Sequence, residues 1–186
     1  AGVRWSEDER EATLRRGIQS PLDGAVNLRP TADVGDRDFS DVSPAVTVEY
    51  DVTDSVRLYG KIADGYKSGG FNARASSPER FSAGFDDEKL RSYELGIKAE
   101  TAGRRLRFDA ALFRGDYEDI QVNVQSDPEN VIASDVLNAG EATIDGLELE
   151  LTAAVTSALR LQLRYGWLDP GFASIRDATG ADVSSS

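Results

Sequence analysis

The stretch from Ser92 to Val124 alternates apolar and charged residues in two arms separated by a glycine-containing link. One set of alternate positions is apolar, namely Tyr93, Leu95, Ile97 and Ala99 in the first arm and Leu106, Phe108, Ala110 and Leu112 in the second. The intervening positions are mostly charged. Residues of a β-strand point to opposite faces in turn, and glycine tolerates the positive φ of a tight reversal at Ala102-Gly103. The pattern therefore predicts a β-hairpin with one apolar face.

The second face of this hairpin carries ions of both signs at successive positions. A membrane barrel places its apolar side toward lipid and its polar side toward an enclosed, wet lumen, which suits such a face. A soluble two-layer sheet with a solvated outer face fits the alternation of this hairpin equally well.

Composition excludes several classes of function for this chain of 186 residues. The formal net charge of −12 argues against a nucleic-acid partner, because phosphate binding needs a basic surface. Cysteine and histidine are both absent, so disulfides, thiolate metal sites and Ser-His or Cys-His catalysis are excluded. No run of about 18 apolar residues predicts a transmembrane helix, although a spanning β-strand needs only about 9–11 alternating residues.

Two more hairpins repeat the same face chemistry. The first has alternate apolar positions at Val46, Val48, Tyr50 and Val52 and, after a turn at Thr53-Asp54, at Val56, Leu58, Gly60 and Ile62. The other runs through Leu147, Leu149 and Leu151, a short link at residues 155–157, and Leu159, Leu161, Leu163, Tyr165 and Trp167. With a strand that starts near Gly2 and becomes wholly polar, the chain is predicted to have about seven strands.

Short turns and long loops alternate along the chain. The three hairpin turns are short, whereas residues 15–41, 67–89, about 119–141 and 169 onward are predicted to be long loops. Outer-membrane barrels have short turns at one end and long loops at the other, so the alternation favours a barrel over a sandwich. Tyr165 and Trp167 would then lie in an aromatic girdle at the loop end, and Tyr50 at the turn end.

The segment DVGDRDFSD brings four aspartates together in the first long loop. Asp33, Asp36, Asp38 and Asp41 could in principle bind calcium, but their spacing differs from that of an EF-hand loop. We predict an acidic, solvated loop instead.

Five blocks resemble the distal part of the barrel of TonB-dependent outer-membrane receptors, in particular siderophore-receptor-like members. They are YGKIADGYKSGGFN from Tyr59, SYELGIKAE, RLRFDAALFRGDYEDIQV, NAGEATIDGLELELTA and LRLQLRYGWLD, in this order. The resemblance implies an all-β fold, an antiparallel up-and-down transmembrane β-barrel, of which residues 1–186 would be a partial barrel domain of about seven strands. Since the chain opens inside a strand, ends in a polar stretch and shows no plug domain, we expect a fragment of the C-terminal half of the barrel.

The same resemblance implies a part in transport. The chain would be a wall segment of a receptor in the bacterial outer membrane that takes up a scarce ligand such as a ferric siderophore. Its partners would be outer-membrane lipid and, in the intact parent, TonB and the small ligand, with no nucleic acid, no cofactor, no metal site and no enzymatic activity. A soluble β-sandwich binding module and a passive porin-type barrel remain as alternatives.

Ligand contacts in this family come from loops and strand tops, which implies four candidate residues here, Tyr66, Lys67, Asn72 and Arg74. Cationic and aromatic groups of this kind suit an anionic or catecholate ligand. The alternative is that GYKSGGFN is a structural transition from strand to loop, its glycines permitting bends and close packing.

A second set of residues is predicted to face the lumen. Its members are Arg57, Lys61, Glu94, Lys98, Arg105, Arg107, Asp109, Glu148, Glu150, Arg160 and Arg164. Glu148 and Glu150 share a strand face and could suggest a glycosidase pair. Ion pairing with arginines of neighbouring strands explains these two carboxylates more simply.

Overall fold

A seven-stranded antiparallel sheet dominates the computed structural model, which describes residues 1–19, 26–28, 32–101, 103, 105–125 and 133–175. Its strands, in spatial order, are β1 (Gly2–Leu14), β4 (Asp33–Thr53), β5 (Val56–Lys67), β6 (Glu88–Glu100), β7 (Leu106–Glu118), β10 (Gly140–Ala154) and β11 (Arg160–Ile175). Two short antiparallel pairs lie outside this sheet, β2 (Gly17–Gln19) with β3 (Val26–Leu28) and β8 (Gln121–Val124) with β9 (Asp135–Asn138). The predicted all-β fold with about seven strands is confirmed.

The three predicted hairpins form. In the central one, Leu95 pairs with Leu112 and Lys98 with Asp109. Gly103 in its turn has φ +77°, the left-handed conformation that glycine adopts without strain. The other two reversals join β4 to β5 and β10 to β11 with similarly short links.

The sheet has an apolar face and a polar face. The apolar face carries the alternate positions exemplified by Val48, Leu95 and Leu112, which are 67%, 68% and 59% exposed. A soluble sandwich would cover such a face with a second sheet, because apolar surface exposed to water costs free energy. In the part of the chain that the structure describes no second sheet covers it, so the sandwich alternative does not fit.

The prediction of a loop over residues 15–41 is wrong from Asp33 onward, and the earlier part of this stretch contains the short pair β2 and β3. β4 begins at Asp33, which pairs with Leu14, so β1 and β4 form a tall hairpin that continues beyond the apolar part of the sheet. Alternation places Asp36 and Asp38 on one face of β4 and Asp33 and Asp41 on the other. The four carboxylates cannot surround one cation, and no metal-binding group of three or more acidic residues occurs among the described residues.

The other three predicted loops contain regular structure as well, and in the last of them, predicted from residue 169 onward, β11 continues to Ile175. Within residues 67–89, the helix α1 (Pro78–Ala83) begins after Ser77, whose hydroxyl accepts from Arg80 N (3.2 Å), and Pro78 occupies its first turn. Within residues 119–141, β8 and β9 form a small hairpin. Residues 126–132 of that predicted loop lie outside the described residues. No helix in the described ranges is long and apolar enough to cross a membrane.

The most buried apolar side chains lie at the loop end of the sheet. In the described chain they are Phe39, Ala75, Phe81, Ala133, Ala139 and Ala142. Among the described residues the core is therefore a cluster where loops pack on the top of the strands, and the described wall below it has no core of its own.

Candidate functional site

The β5–β6 loop, residues 68–87, folds against the polar face of the β1–β4 hairpin. Two aromatic rings pack on glycines in a reciprocal manner. A Cβ placed on Gly35 of β4 would lie 2.2 Å from the ring of Phe71, and one on Gly69 of the loop would lie 2.5 Å from the ring of Phe39. Only glycine permits this approach, so sequence dictates that loop and hairpin lie in direct contact.

Three arginines of the β1–β4 segment hold the same loop along its length. Arg10 donates to Ser68 Oγ (2.7 Å) at the start of the loop, and Arg16 donates to the carbonyl of Ser77 (3.0 Å) before α1. Arg37 donates to the carbonyl of Ala83 (3.2 Å) and pairs with the carboxylate of Asp86. The guanidinium group has five donors in a fixed fork, so each arginine can bind the loop and a carboxylate together.

The opposite side of the loop is held by the β8–β9 hairpin through neutral amides. Asn138 Nδ2 donates to the carbonyls of Asp86 (2.9 Å) and Asp119 (3.0 Å), and Asn138 Oδ1 accepts from Asp86 N (2.8 Å). Gln121 Nε2 donates to the carbonyls of Ser68 (3.1 Å) and Asp86 (3.0 Å). One amide thus bridges both ends of the loop, which brings Ser68 and Asp86 close together.

Three of the four predicted ligand residues are engaged in contacts within the chain. Tyr66 donates to Asp8 Oδ2 (2.7 Å). Lys67 pairs with Glu88 (3.6 Å). Asn72 Nδ2 donates to the carbonyl of Ser134 (2.6 Å).

Arg74, the fourth candidate, differs from the other three. Its backbone N donates to Asn72 Oδ1 (2.9 Å), but its side chain is exposed and makes no ion pair or hydrogen bond within the described chain. Its guanidinium is therefore available to a ligand, and the ligand role of all four residues stays a prediction.

The polar face of the wall carries a ladder of ion pairs. The residues predicted to face the lumen occupy the alternate positions opposite the apolar face, and several are paired. Arg57 contacts Asp51 (2.6 Å), Arg107 contacts Asp109 (2.7 Å), and Arg164 contacts Glu150 (3.3 Å). Arg105 is an exception, since it donates to the carbonyl of Val155 (3.1 Å) at the neighbouring turn.

A depression of about 450 Å³ opens on this face between β5, β6, β7, β10 and β11. The side chain of Tyr59 lines this depression, and its hydroxyl donates a hydrogen bond to Glu94 (2.5 Å). The ammonium of Lys98 lies 5.1 Å from the centre of the Tyr59 ring. Glu150 accepts from Gln162 (2.7 Å) as well as from Arg164, which accords with ion pairing for this carboxylate.

Sequence reasoning did not single out Arg10, Arg16, Arg37 or Asn138. Arg10 and Arg37 are 27 positions apart, and only the antiparallel register of β1 with β4 makes them neighbours. A period-two pattern through DVGDRDFSD, with Gly35, Arg37 and Phe39 at alternate positions, was the available signal. It was obscured because the other face of this strand is polar as well.

Comparisons with known proteins agree with this architecture. The model of the family "TonB dependent receptor-like, beta-barrel" matches residues 1–186. The pesticin receptors of Yersinia enterocolitica and Yersinia pestis are 32% identical over 149 residues, which are 80% of this chain and 20% of theirs. The probable TonB-dependent siderophore receptor PiuA of Acinetobacter baumannii is 25% identical over 172 residues, 90% of this chain and 21% of that protein.

The crystal structure of the ferric yersiniabactin uptake receptor FyuA from Yersinia pestis superposes with a TM-score of 0.69 at 26% identity, covering 91% of this chain and 23% of that one. The chain thus spans about a fifth of the length of its relatives. The family consists of transport receptors of the Gram-negative outer membrane and not of enzymes. This chain belongs to the TonB-dependent receptors, and its seven strands form part of their β-barrel wall.

Proposed function

We propose that the intact receptor containing this chain takes up a small ligand of the siderophore class across the outer membrane, with energy transmitted through TonB. The observation that carries the proposal is the β5–β6 loop, which is folded against the polar face at the loop end of a membrane wall. A loop in this position can contact a ligand entering from outside, and the hydrated polar face below it can line the path inward.

The relatives support this class of cargo. One is named a probable siderophore receptor, and one structural neighbour is a ferric yersiniabactin uptake receptor. Because this chain covers about a fifth of each, the plug, the TonB contact and most of the barrel are assigned to other parts of the parent protein. Residues 1–186 then act as one segment of the barrel domain.

Within the site, Arg74 is the strongest of the four ligand candidates. Its guanidinium, which has no hydrogen bond or ion pair among the described residues, can form charge-assisted hydrogen bonds to an anionic or catecholate chelator. Tyr66 and Lys67 lie at the top of β5, and Asn72 lies with Arg74 in the loop that follows. A ligand would contact these three residues by replacing their present partners. The charges of the polar face, from Arg57 to Arg164, would line the lumen.

Uptake by a strain that lacks its own siderophore receptors tests this function. The intact gene is expressed in that strain, and growth under iron limitation is measured with catecholate, hydroxamate and carboxylate siderophores in turn. We expect at least one siderophore to restore growth, and only when TonB is present. Arg74→Ala should raise the siderophore concentration needed, whereas Arg80→Ala, another exposed arginine of the same loop, should not.

Two results would contradict the proposal. Growth that does not depend on TonB would favour the passive porin-type alternative. Failure of every siderophore, with the receptor folded in the outer membrane, would assign a different cargo.

A further inference from the structure

We propose that Arg10 and Arg37 form a paired-arginine anion site at the mouth of the barrel wall, in which the carboxylate of Asp86 occupies the position beside Arg37 in this structure. The two arginines are register partners on neighbouring strands and lie on the polar face of the β1–β4 hairpin. Side chains that face each other directly across antiparallel strands have Cβ atoms about 5 Å apart, and like charges in such a pair repel. A bound anion removes that repulsion.

The present partners of the two arginines show how the site is filled. Arg10 donates to Ser68 Oγ (2.7 Å) and to Asp8 Oδ1 (3.0 Å), and the other oxygen of Asp8 is taken by Tyr66. Arg37 stacks 5.0 Å from the centre of the Phe39 ring and pairs with Asp86. Two cations therefore face two carboxylates, of which one belongs to the hairpin and one to the loop.

Asp86 is the partner that can leave. Its side chain is 65% exposed, and ion pairs with so exposed a partner are weak. Its backbone is fixed on the other side by Asn138, which binds both the N–H and the carbonyl of Asp86. The carboxylate can consequently rotate toward solvent without movement of the loop, leaving two guanidinium groups opposite one carboxylate.

The vacated position suits an oxyanion with at least two negative charges. Guanidinium forks match the paired oxygens of carboxylate and phosphate groups, which makes arginine the common residue for such anions. The side chains of Arg10 and Arg37 are 47% and 29% exposed, so solvent already reaches them. The inference rests on the proposed uptake function for the role of the anion as cargo, but binding can be measured without transport.

Calorimetric titration of the intact, detergent-solubilised receptor with inorganic pyrophosphate at constant ionic strength tests the site. We expect Arg10→Gln and Arg37→Gln each to weaken binding about tenfold or more, since each removes one charged fork. Asp86→Asn removes the competing carboxylate and should tighten binding several-fold. Arg91→Gln is the matched control, because Arg91 pairs with Asp64 (2.8 Å) on the other face of the sheet, and it should bind as the wild type does.

Equal affinity of Arg10→Gln, Arg37→Gln and Arg91→Gln would overturn the site, as would weaker binding by Asp86→Asn. Because the Asp86 side chain is exposed, we expect Asp86→Asn to fold as the wild type does. This variant therefore tests the anion site even where an arginine variant is unstable. Pyrophosphate binding that follows the expected order in a receptor that transports no siderophore would refute the proposed cargo and leave the anion site standing.

Discussion

At the scale of single residues, glycines opposite aromatic rings fix how neighbouring strands of the wall meet. Tyr59 lies over its register partner Gly96, and Phe113 lies over its register partner Gly146. A Cβ on these glycines would lie 2.4 Å and 2.2 Å from the rings. Glycine has no side chain, so it leaves the strand backbone uncovered, and each aromatic ring packs on that backbone. The contact also helps to fix the pairing register of the two strands.

Gly96→Val should destabilise the intact receptor by about 1–3 kcal/mol, the usual cost of overpacking a tight contact. The new side chain must displace Tyr59, which would lose its hydrogen bond to Glu94 and its contact with Lys98. Denaturant unfolding of the receptor in detergent, followed by tryptophan fluorescence, measures the change.

Gly65→Val is the control for that substitution. Gly65 lies on the same face of β5 as Tyr59. A Cβ placed on Gly65 would meet only the carbonyl of Leu90, at 4.0 Å. Equal destabilisation by the two variants would mean that loss of strand glycine itself, and not the clash with Tyr59, determines the effect.

At the scale of elements, Asn138 joins β9 to the β5–β6 loop and to the end of β7. Its amide makes hydrogen bonds to both backbone groups of Asp86 and to the carbonyls of Asp87 (3.2 Å) and Asp119. The loop therefore has an attachment to the β1–β4 hairpin that includes an ion pair, and an attachment to Asn138 through neutral amide hydrogen bonds. The two attachments respond differently to salt, because screening weakens only interactions between charges.

Asn138→Ala should loosen the loop and the β8–β9 hairpin together. Loss of the amide leaves several backbone groups without partners, and opening then costs less free energy. Hydrogen exchange of the intact receptor should become faster within residues 68–87 and 119–125, with little change in β6 or β7 within the wall.

Asn123→Ala provides the comparison, since Asn123 is an exposed residue of β8. It should leave exchange in residues 68–87 unchanged. Faster exchange confined to the β8–β9 hairpin in Asn138→Ala would show that the loop is held without Asn138.

The same elements show how far the sequence predicts the fold. Period-two patterns identify the three wall hairpins because each has one apolar face, as at Leu95 and Leu112. The pattern fails in the upper part of β4, where Asp36 and Asp38 point one way and Arg37 the other, so both faces are polar. It also misses α1 and the β8–β9 hairpin, which are short and are held by contacts from distant segments, such as that of Ser76 with Asp135 (2.7 Å). For the site, sequence can place Tyr66 and Arg74 near a strand top, but the meeting of Arg10 with Arg37 requires the register.

At the scale of the whole molecule, the seven strands leave β1 and β11 as the two edges of the described sheet. Every neighbouring pair is antiparallel, so the first and seventh strands run in the same direction. A closed antiparallel barrel of the bacterial type has an even number of strands. Closure therefore requires an odd number of further strands between β11 and β1, and it removes both unpaired edges.

In the closed barrel one face of the wall meets lipid and the other meets the lumen. Substitutions at two adjacent residues of β7 test which face is which. Leu112 lies on the apolar face, and Ala111 lies on the polar face opposite Glu148. Leu112→Arg should cost about 2–4 kcal/mol, as a charge near the middle of the bilayer does, whereas Ala111→Arg gains a carboxylate neighbour and should be nearly neutral. Heat-dependent migration of the intact receptor on gels measures the folded fraction in the outer membrane. Since the two variants add the same charge one position apart, a greater loss of folded receptor in Ala111→Arg would place lipid on the polar face and refute the orientation of the wall.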